Sequence, residues 1–377
     1  MTSQATGGEA TGSARTFLAS GITLVAIRRR PRHSAVIPAL ERAGGRQGNR
    51  RVSGNVRQGQ GAAPAVFLGV DMGGTATRWV LLNAAGAEIG AGTGPGATGL
   101  LFDTAAREAF GRALAGVPER LRALGAPGIA RACLGVTGIG TGPAPEVMAC
   151  LRDALPDTGP MLVLNDLVLA WHAAFPQGGP GHLVAAGTGS AGVSVDAAGR
   201  AHPVGGRGHV IDDGGSGCWI ALRALDAIYR RIDAHGRPAG AEKLAAALFA
   251  AMGGAEWEHT RAFVYGGDRG RIGMLANAVA EAAREGDALA VELLHRAGAE
   301  LGRLGAALIG RHGPAPLVAV GGVLRLHPAV RAGVEAALPD AEISYPEIAS
   351  ARHAARMAHR QHSAPQGAFS QHGARRP

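Results

Sequence analysis

The sequence predicts an α/β protein made of two related halves, and three observations support that prediction. A strand–turn–strand segment with a Gly- and Thr-rich turn occurs twice, at 66–82 and 183–195. Each copy is followed by alternating apolar strands and helical segments, the order typical of α/β folds. Apolar residues make up 46% of the 377 residues and charged residues 18%, values that a globular protein with a substantial core would have.

The first half reads as short apolar strands joined by turns and helices. We predict strands at 65–70, 78–82, 88–92, 130–136 and 161–164. We predict one helix over 104–124, where apolar residues recur at helical spacing, and a second over 167–174. This order places the first Gly/Thr turn between the first two strands.

The second half begins in the same way and then becomes mostly helical. Strands are predicted at 182–186 and 191–195, with a hairpin turn at 196–200 and a late strand at 317–320. Helices are predicted at about 216–232, 241–251, 273–285 and 287–311. The two halves would each contribute one Gly/Thr hairpin to a shared cleft.

We predict two folded domains, 65–177 and 178–356, between ends of a different composition. Residues 1–64 carry ten Arg and two Glu and have no sustained periodicity, which predicts a disordered basic N-terminal extension. Residues 357–377 are rich in His, Gln and Arg and predict a disordered tail. Because the net charge of +9 comes from these ends, we expect no nucleic-acid partner.

The remaining composition favours a cytoplasmic protein without a membrane partner. The three cysteines, Cys133, Cys150 and Cys218, have no metal-ligand spacing and no disulfide framework. The apolar stretch 17–27 is too short to span a bilayer. The basic residues 28–30 follow this apolar stretch, whereas in a signal peptide the basic residues come before it.

The first hairpin turn has the residues that phosphate binding requires. Gly73 and Gly74 lack side chains, so their amide groups can turn toward an anion. Thr75 and Thr77 add hydroxyl donors. Asp71, at the end of a strand, is placed to reach Mg²⁺ through water. Taken alone, the same segment also fits an ordinary β-hairpin turn.

The second turn repeats this chemistry, and a carboxylate lies between the two hairpins in sequence. Gly187, Thr188 and Gly189 form the second turn. Asn165 and Asp166 follow directly after an apolar strand, a position that suits Asp166 as general base for a hydroxyl group. The alternative is that this pair only caps the following helix. Two phosphate-binding turns, a magnesium carboxylate and a base are what phosphoryl transfer from ATP requires.

In this order and spacing, the motifs make residues 66–351 similar to the BadF/BadG/BcrA/BcrD ATPase family, and within it to the N-acetylglucosamine and glucosamine kinases. The motifs resemble, in turn, the first phosphate loop, the catalytic-Asp segment, the second phosphate loop, the sugar-binding stretch, a helix break and the adenosine loop: 71–75, 165–166, 186–190, 205–220, 285–288 and 320–323. This family belongs to the actin/hexokinase/Hsp70 superfamily. The resemblance implies two ribonuclease H-like (actin-like ATPase) domains around an ATP cleft.

The resemblance also implies a reaction and the residues that perform it. ATP and Mg²⁺ would be the cofactors, and an amino sugar, N-acetylglucosamine or glucosamine, would accept the phosphoryl group. Asp166 would be the base, and Gly321 and Gly322 would allow adenosine to pass close to the backbone. Sugar contacts would come from Asn165, Gly206 and Asp213.

Two alternatives to a kinase stay open at this point, together with the choice of sugar. The first is an ATP-driven activator of a dehydratase or reductase, which would hold an iron–sulfur cluster with cysteines. The second is a non-catalytic, sugar-sensing regulator. Many relatives have Trp at the position of Arg207, and Gly-Asp-Glu-Gly where this chain has 212–215. These departures leave the sugar undetermined, and the sequence also leaves open a homodimer.

Overall fold

Two five-stranded mixed sheets form the framework of the computed structural model, which describes residues 65–140 and 142–363. These residues belong to one compact unit, Gln60–Pro377. The predicted disordered extension at 1–64 and the final part of the predicted tail, 364–377, lie outside the described residues.

The strands follow the predicted positions closely, and the second half has two more strands than predicted, one at each edge of its sheet. They are β1 Phe67–Met72, β2 Ala76–Leu82, β3 Glu88–Pro95, β4 Arg131–Val136, β5 Met161–Asn165, β6 Gly181–Ala186, β7 Ser190–Val195, β8 Ala201–Gly205, β9 Leu317–Val320 and β10 Ile343–Ser344. The short strands β8 and β10 were not predicted, because their sequences lack a clear apolar run.

The two sheets have the same topology. The first has the order β3-β2-β1-β4-β5, and the second has the order β8-β7-β6-β9-β10. In each, the first three strands of the half are antiparallel and the last two run parallel to the first. The predicted repeat of two related halves is therefore confirmed at the level of strand order and direction.

Helices cover both sheets. They are α1 Thr104–Leu114, α2 Gly116–Ala123, α3 Pro145–Ala154, α4 Asp166–Ala174, α5 Gly217–His235, α6 Glu242–Met252, α7 Trp257–Tyr265, α8 Arg269–Met274, α9 Ala276–Arg284, α10 Ala288–His312, α11 Pro328–Ala337 and α12 Ser350–Ser363, with a 3₁₀ turn at Gly322–Arg325. None of the helices in this described part of the chain is long and apolar enough to cross a membrane.

One predicted helix is two helices in the structure. The segment 104–124 breaks at Ala115, between α1 and α2. Pro118 explains the break, because it has no N–H to donate to the carbonyl group of Leu114 and its ring would clash with that group. Both helices still bury their apolar faces against the first sheet, through Phe110, Leu114 and Val117.

α4 lies between the two sheets. Leu169 packs in the cluster beneath the first sheet, with Phe67 and Cys133. Trp171, two residues further along α4, packs in the cluster of the second sheet, and its indole N–H donates to the carbonyl oxygen of Gly181 at 3.1 Å. Asp166, the first residue of α4, is therefore held in place by both sheets.

The last helix departs from the predicted domain and tail boundaries. α12 continues to Ser363, beyond the predicted boundary at 356, and it packs on β1 and β4 of the first sheet. Ala354, Ala355 and Ala358 are fully buried there. A helix built largely of Ala, Arg and His has too few large apolar residues to be recognised as a core element. Its small residues are what allow it to lie close to the strands.

Gly69 on β1 lies directly against the backbone of α12. A Cβ atom at this position would collide with the backbone of Ala351 and Ala355. We expect Gly69→Val to lower the free energy of unfolding by about 1–3 kcal/mol, because the helix would have to move away from the sheet.

Gly111 provides the matched control, since a Cβ atom there would meet no other atom within 4 Å. Gly111→Ala, within α1, should raise the free energy of unfolding by up to about 1 kcal/mol through helix propensity. Urea unfolding of both variants checks the pair. A Gly69→Val variant as stable as the unsubstituted protein would contradict this docking of α12.

Candidate active site

Three parallel strands of the first sheet bring two carboxylates to one edge. Asp71 on β1 is level with Gly135 on β4, and Val136 is level with Asn165 at the end of β5. Because the carboxyl ends of parallel strands lie at the same edge of a sheet, Asp71 and Asp166 both lie there. This is the arrangement that the sequence motifs predicted for the magnesium carboxylate and the base.

The local backbone fixes the position of Asp166. Asn165 caps α4, its side-chain oxygen accepting a hydrogen bond from the Leu167 N–H at 3.0 Å. Asp166 accepts from the same N–H at 2.9 Å. The helix-capping alternative therefore occurs in the structure, and of the two carboxylate oxygens of Asp166 the Leu167 N–H bonds only to Oδ1.

Burial raises the pKa of both carboxyl groups and so makes them weaker acids than usual. Burial, with a further contribution from the negative charge of Asp166, raises the pKa of Asp71 to about 6, although Arg78 opposes the shift. Burial also raises the pKa of Asp166, and hydrogen bonds from the Thr137 hydroxyl and the Leu167 backbone oppose it. Two carboxyl groups with raised pKa at one sheet edge are characteristic of a catalytic site rather than of a structural ion pair.

A cavity of about 790 Å³ connects this edge of the first sheet with the second sheet. Asp71 and Asp166 line it from one side, and Gly321 and Gly322 line it from the other. Four residues predicted for different parts of the site thus face a common space, large enough for a nucleotide-sized ligand.

The Asp71 carboxylate fits a magnesium ion held partly by water. Mg²⁺ in phosphoryl-transfer sites takes one or two carboxylates and completes its shell with water and phosphate oxygens. Asp71 supplies one such group at this edge. In residues 65–140 and 142–363 no cluster of three or more His, Cys, Asp or Glu side chains could hold a metal.

The two glycines after β9 have different reasons for being glycine. Gly321 has a φ of 116°, and a Cβ atom there would collide with the backbone of Ala186. A Cβ atom on Gly322 would meet nothing within 4 Å. Gly321 is therefore required by packing against β6, and Gly322 is the position that leaves room on the side of the cavity.

The turns of the two hairpins lie against each other. The hydroxyl groups of Thr75 and Thr188 are joined by a hydrogen bond of 2.6 Å. In the first turn, the Gly73 N–H donates to the carbonyl oxygen of Ala76 at 3.1 Å. In the second, the Gly187 N–H donates to the carbonyl oxygen of Gly189 at 2.9 Å. The two turns that the sequence singled out thus meet in space.

Thr77 differs from its predicted position as a hydroxyl donor at the first turn. Arg78 is paired with Asp71 and lies on the same face of the sheet, so Thr77, one residue earlier, points to the opposite face. It is fully buried, and its hydroxyl has no hydrogen-bond partner within the described residues. The structure does not bring Thr77 into the site.

Asp213 contacts the second turn. It is 3% exposed and has a φ of 60°, and its Oδ2 atom has no hydrogen-bond partner among the described residues. A Cβ atom on Gly189 would lie 2.8 Å from that oxygen. Burial raises the pKa of Asp213, against a hydrogen bond from the Ser190 backbone. A strained, buried carboxylate with a free acceptor is a group held ready for a ligand.

The segment around Gly206 holds its conformation through packing. Gly206 has a φ of 68°, and a Cβ atom there would lie 2.9 Å from the Ala191 side chain. Its neighbour Arg207 is exposed and lies 3.5 Å from the Asp212 carboxylate. Gly206 therefore fits against β7, and Arg207 points to the surface rather than toward either Gly/Thr turn.

Sequence reasoning missed two side chains at this site. Thr137 follows β4, and its hydroxyl group opposes the rise in the pKa of Asp166. Arg269 begins α8, and its guanidinium group lies against Gly74 in the first turn. The polar residue directly after a buried strand was a signal that could have identified Thr137. Arg269 comes from a helix that the sequence did not predict. No motif in the residues around Arg269 indicates that its side chain reaches the first turn.

The three cysteines lie on three different elements. Cys133 on β4 and Cys218 on α5 are buried, and Cys150 on α3 is partly buried. Burial raises the pKa of Cys133 to about 12 and that of Cys218 to about 11. Thiols of such high pKa are poor metal ligands at neutral pH, because it is the thiolate that binds a metal.

Comparisons with known proteins agree with this arrangement. A model of the BadF/BadG/BcrA/BcrD ATPase family matches residues 68–356. A candidate N-acetylglucosamine kinase from Chromobacterium violaceum has a similar structure, with a TM-score of 0.63 and 23% identity over 78% of this chain and 98% of that one. A comparison with curated proteins gives no match.

Two other solved structures share the fold. A candidate N-acetylglucosamine kinase from Porphyromonas gingivalis gives a TM-score of 0.56 and 15% identity over 78% of this chain and 99% of that one. A ROK family glucokinase from Streptomyces griseus, solved with glucose and AMPPNP, gives 0.51 and 18% identity over 79% and 100%. The predicted α/β fold with two ribonuclease H-like (actin-like ATPase) domains is confirmed.

Proposed function

The chain belongs to the BadF/BadG/BcrA/BcrD ATPase family, and from that premise we propose that it transfers a phosphoryl group from ATP to an amino sugar, N-acetylglucosamine or glucosamine. The observation that carries the proposal is the common cavity of Asp71, Asp166, Gly321 and Gly322. The likeness to candidate N-acetylglucosamine kinases supports this choice of acceptor.

Asp166 acts as the general base in this proposal. The sugar hydroxyl oxygen forms a bond to the γ-phosphorus of ATP while the bond from that phosphorus to the ADP oxygen breaks. Asp166 takes the hydroxyl proton, and ADP leaves with the electron pair of the broken bond. The raised pKa of Asp166 suits this role, because a base whose pKa lies nearer neutrality takes a proton more readily.

The two hairpins and Asp71 bind and orient the phosphates. Backbone N–H groups of the two turns, 73–75 and 187–189, donate to phosphate oxygens, together with the hydroxyl groups of Thr75 and Thr188. The N–H groups of Gly73 and Gly187 already donate within their turns, so these two glycines contribute by leaving room for the phosphates. Asp71 would hold Mg²⁺ through water, and the ion would supply positive charge that offsets the charge of the phosphates. Since the Thr75 and Thr188 hydroxyls bond to each other at 2.6 Å, ATP binding replaces that hydrogen bond with bonds to phosphate.

Asp213 binds the sugar hydroxyls, and Asn165 contributes its side-chain N–H₂ group while its oxygen caps α4. The partnerless Oδ2 atom of Asp213 is the acceptor for a hydroxyl donor. Gly206 keeps the segment 205–217 in the conformation that presents Asp213.

Closure of the cleft between domains 65–177 and 178–349, with α12 returning to the first, excludes water so that the sugar rather than water attacks.

The activator and regulator alternatives have weaker support. An iron–sulfur activator needs several accessible thiolates, whereas the described cysteines are buried or partly buried on separate elements. A regulator that only senses sugar has no need of two buried carboxyl groups with raised pKa facing one cavity. These observations favour a kinase over both.

A coupled ADP-release assay over a sugar panel tests the proposal. We expect N-acetylglucosamine or glucosamine to stimulate ADP release well above the rate with ATP alone, and glucose and N-acetylmannosamine to do so less. Phosphorus NMR of the product would identify the sugar phosphate. If none of the sugars raises ADP release above the rate without sugar, the kinase assignment fails.

A further inference from the structure

α8 lies across both hairpin turns, a position that nothing in its sequence indicated. A Cβ atom on Gly270, near its start, would lie 3.3 Å from the Thr75 hydroxyl oxygen. A Cβ atom on Gly273, near its end, would lie 3.3 Å from the Thr188 methyl group. The helix therefore spans the place where the two turns meet, and it does so with glycines that allow close contact.

Arg269 is the residue of α8 that points into this junction. Its guanidinium group fills the space in which any side chain at Gly74 would lie. The backbone of Arg269 is held by α5, because the Cys218 thiol donates to the Arg269 carbonyl oxygen at 2.9 Å. Since Gly74 is the middle of the first phosphate-binding turn, the guanidinium group lies where a bound phosphate chain would pass.

The charge of Arg269 is not used by an ion pair. No carboxylate oxygen within the described parts of the chain lies within 4 Å of its nitrogens, although eleven other ion pairs do form there. Its charge nevertheless reaches the site, because it opposes the burial that raises the pKa of Asp166 and of Asp213. A partly buried cation between two carboxylates, with neither as a close partner, is free to bind an anion.

We propose that Arg269 is a catalytic residue that binds the γ-phosphoryl oxygens of ATP and stabilises the charge that develops on them during transfer. The inference rests on the proposed phosphoryl transfer. In such reactions negative charge spreads over the three outer oxygens, and a fixed arginine beside them lowers the barrier. The planar guanidinium group can donate to two of these oxygens at once, and it exchanges no proton in the step.

Nucleotide binding tests the proposal without any sugar. Arg269→Met removes the charge and keeps most of the side-chain volume. We expect the variant to bind the ATP analogue AMPPNP, with Mg²⁺, at least about tenfold more weakly, because a charge-assisted contact is lost. It should bind ADP within about threefold of the unsubstituted protein, since ADP has no γ-phosphoryl group. Isothermal titration calorimetry measures both.

Arg271→Met is the matched control. Arg271 lies on the same helix and is exposed, with its guanidinium carbon 4.1 Å from the Phe263 ring centroid. It should leave both affinities unchanged. In the sugar-dependent assay, Arg269→Met should lower kcat by about 10²–10³-fold, the effect of removing one donor to a developing negative charge. Arg271→Met should not change kcat.

Three results would overturn the inference: unchanged AMPPNP affinity, an equal loss for AMPPNP and ADP, or an unchanged kcat. If Arg269→Met does not fold, Arg269→Lys is tested by the same comparison of AMPPNP with ADP. Lysine keeps the charge but lacks the planar pair of donors that contacts two oxygens at once. This variant should therefore lose part of its affinity for AMPPNP and keep its affinity for ADP. If the unsubstituted protein binds neither nucleotide, the proposed function fails and the inference falls with it. If it phosphorylates a sugar and Arg269→Met does so equally well, only the inference fails.

Discussion

Asp166→Asn is expected to lower kcat of the sugar-dependent reaction by about 10²–10⁴-fold, the usual contribution of a positioned general base. Asparagine has almost the same shape and can still accept the hydrogen bond from the Leu167 N–H, so α4 should keep its cap. It cannot take a proton, and the loss should therefore be in kcat, with little change in KM for the sugar or for ATP.

The control for this variant is Asp153→Asn, which replaces an exposed carboxylate on α3, a helix that does not line the cavity. Its kcat should equal that of the unsubstituted protein. The pH profile of the unsubstituted enzyme adds a second check. Since the folded structure raises the pKa of Asp166, activity should fall on the acid side at a higher pH than for an ordinary carboxylate. Full activity of Asp166→Asn would remove Asp166 as the base.

Asp71→Asn should make the protein more stable at neutral pH while making it a poorer enzyme. The folded state raises the pKa of Asp71 from 3.8 to about 6, so at pH 7 the fold holds an ionised carboxylate that it disfavours. This corresponds to a cost of about 2–3 kcal/mol. Below pH 4 the group is protonated in both the folded and the unfolded chain, and the cost is absent.

The expected stability gain of Asp71→Asn therefore depends on pH in a defined direction. The difference in free energy of unfolding should be near zero at about pH 4, grow between pH 4 and 6, and be constant above pH 7. Urea unfolding at several pH values measures it, with Asp340→Asn, at an exposed turn, as a control without effect. Activity should fall by about 10–100-fold, as expected when a group that orients a metal is removed.

A flat stability difference across that pH range would show that Asp71 is not ionised at a cost in the folded protein. Full activity of Asp71→Asn would show that the Asp71 carboxylate is not needed for the proposed magnesium site. Either result is informative because the two effects have opposite signs. A merely structural role for Asp71 would lower stability and activity together.

The parts of the fold that the sequence predicted are those with strong local signals. The hairpins β1–β2 and β6–β7 combine a short apolar strand with a Gly/Thr turn, and both occur as predicted. Asp71 and Asp166 were singled out because each comes at the end of an apolar run that the sequence predicts as a strand. In an α/β sheet this position alone places a side chain at the ligand-binding edge.

The parts that the sequence did not predict depend on contacts between distant segments. Thr77 belongs to the same turn motif as Thr75, and only the strand register shows that it points to the other face. Arg269 is 195 residues from Gly74, and no local pattern connects them. α12 could not be recognised because its contact with β1 is made by alanine side chains and a glycine.

The return of α12 to the first sheet has a consequence for how the chain must fold during synthesis. β1 and β4 are among the first strands to leave the ribosome, yet the helix that covers them ends at Ser363. Phe67 and Cys133 lack the cover that α12 provides until 296 and 230 further residues have been made, and of the described helices only α4, through Leu169, joins their cluster earlier. The first half therefore cannot complete its fold as an independent unit ahead of the second, which is the usual order for consecutive domains. Its exposed apolar face is the surface on which a chaperone would act.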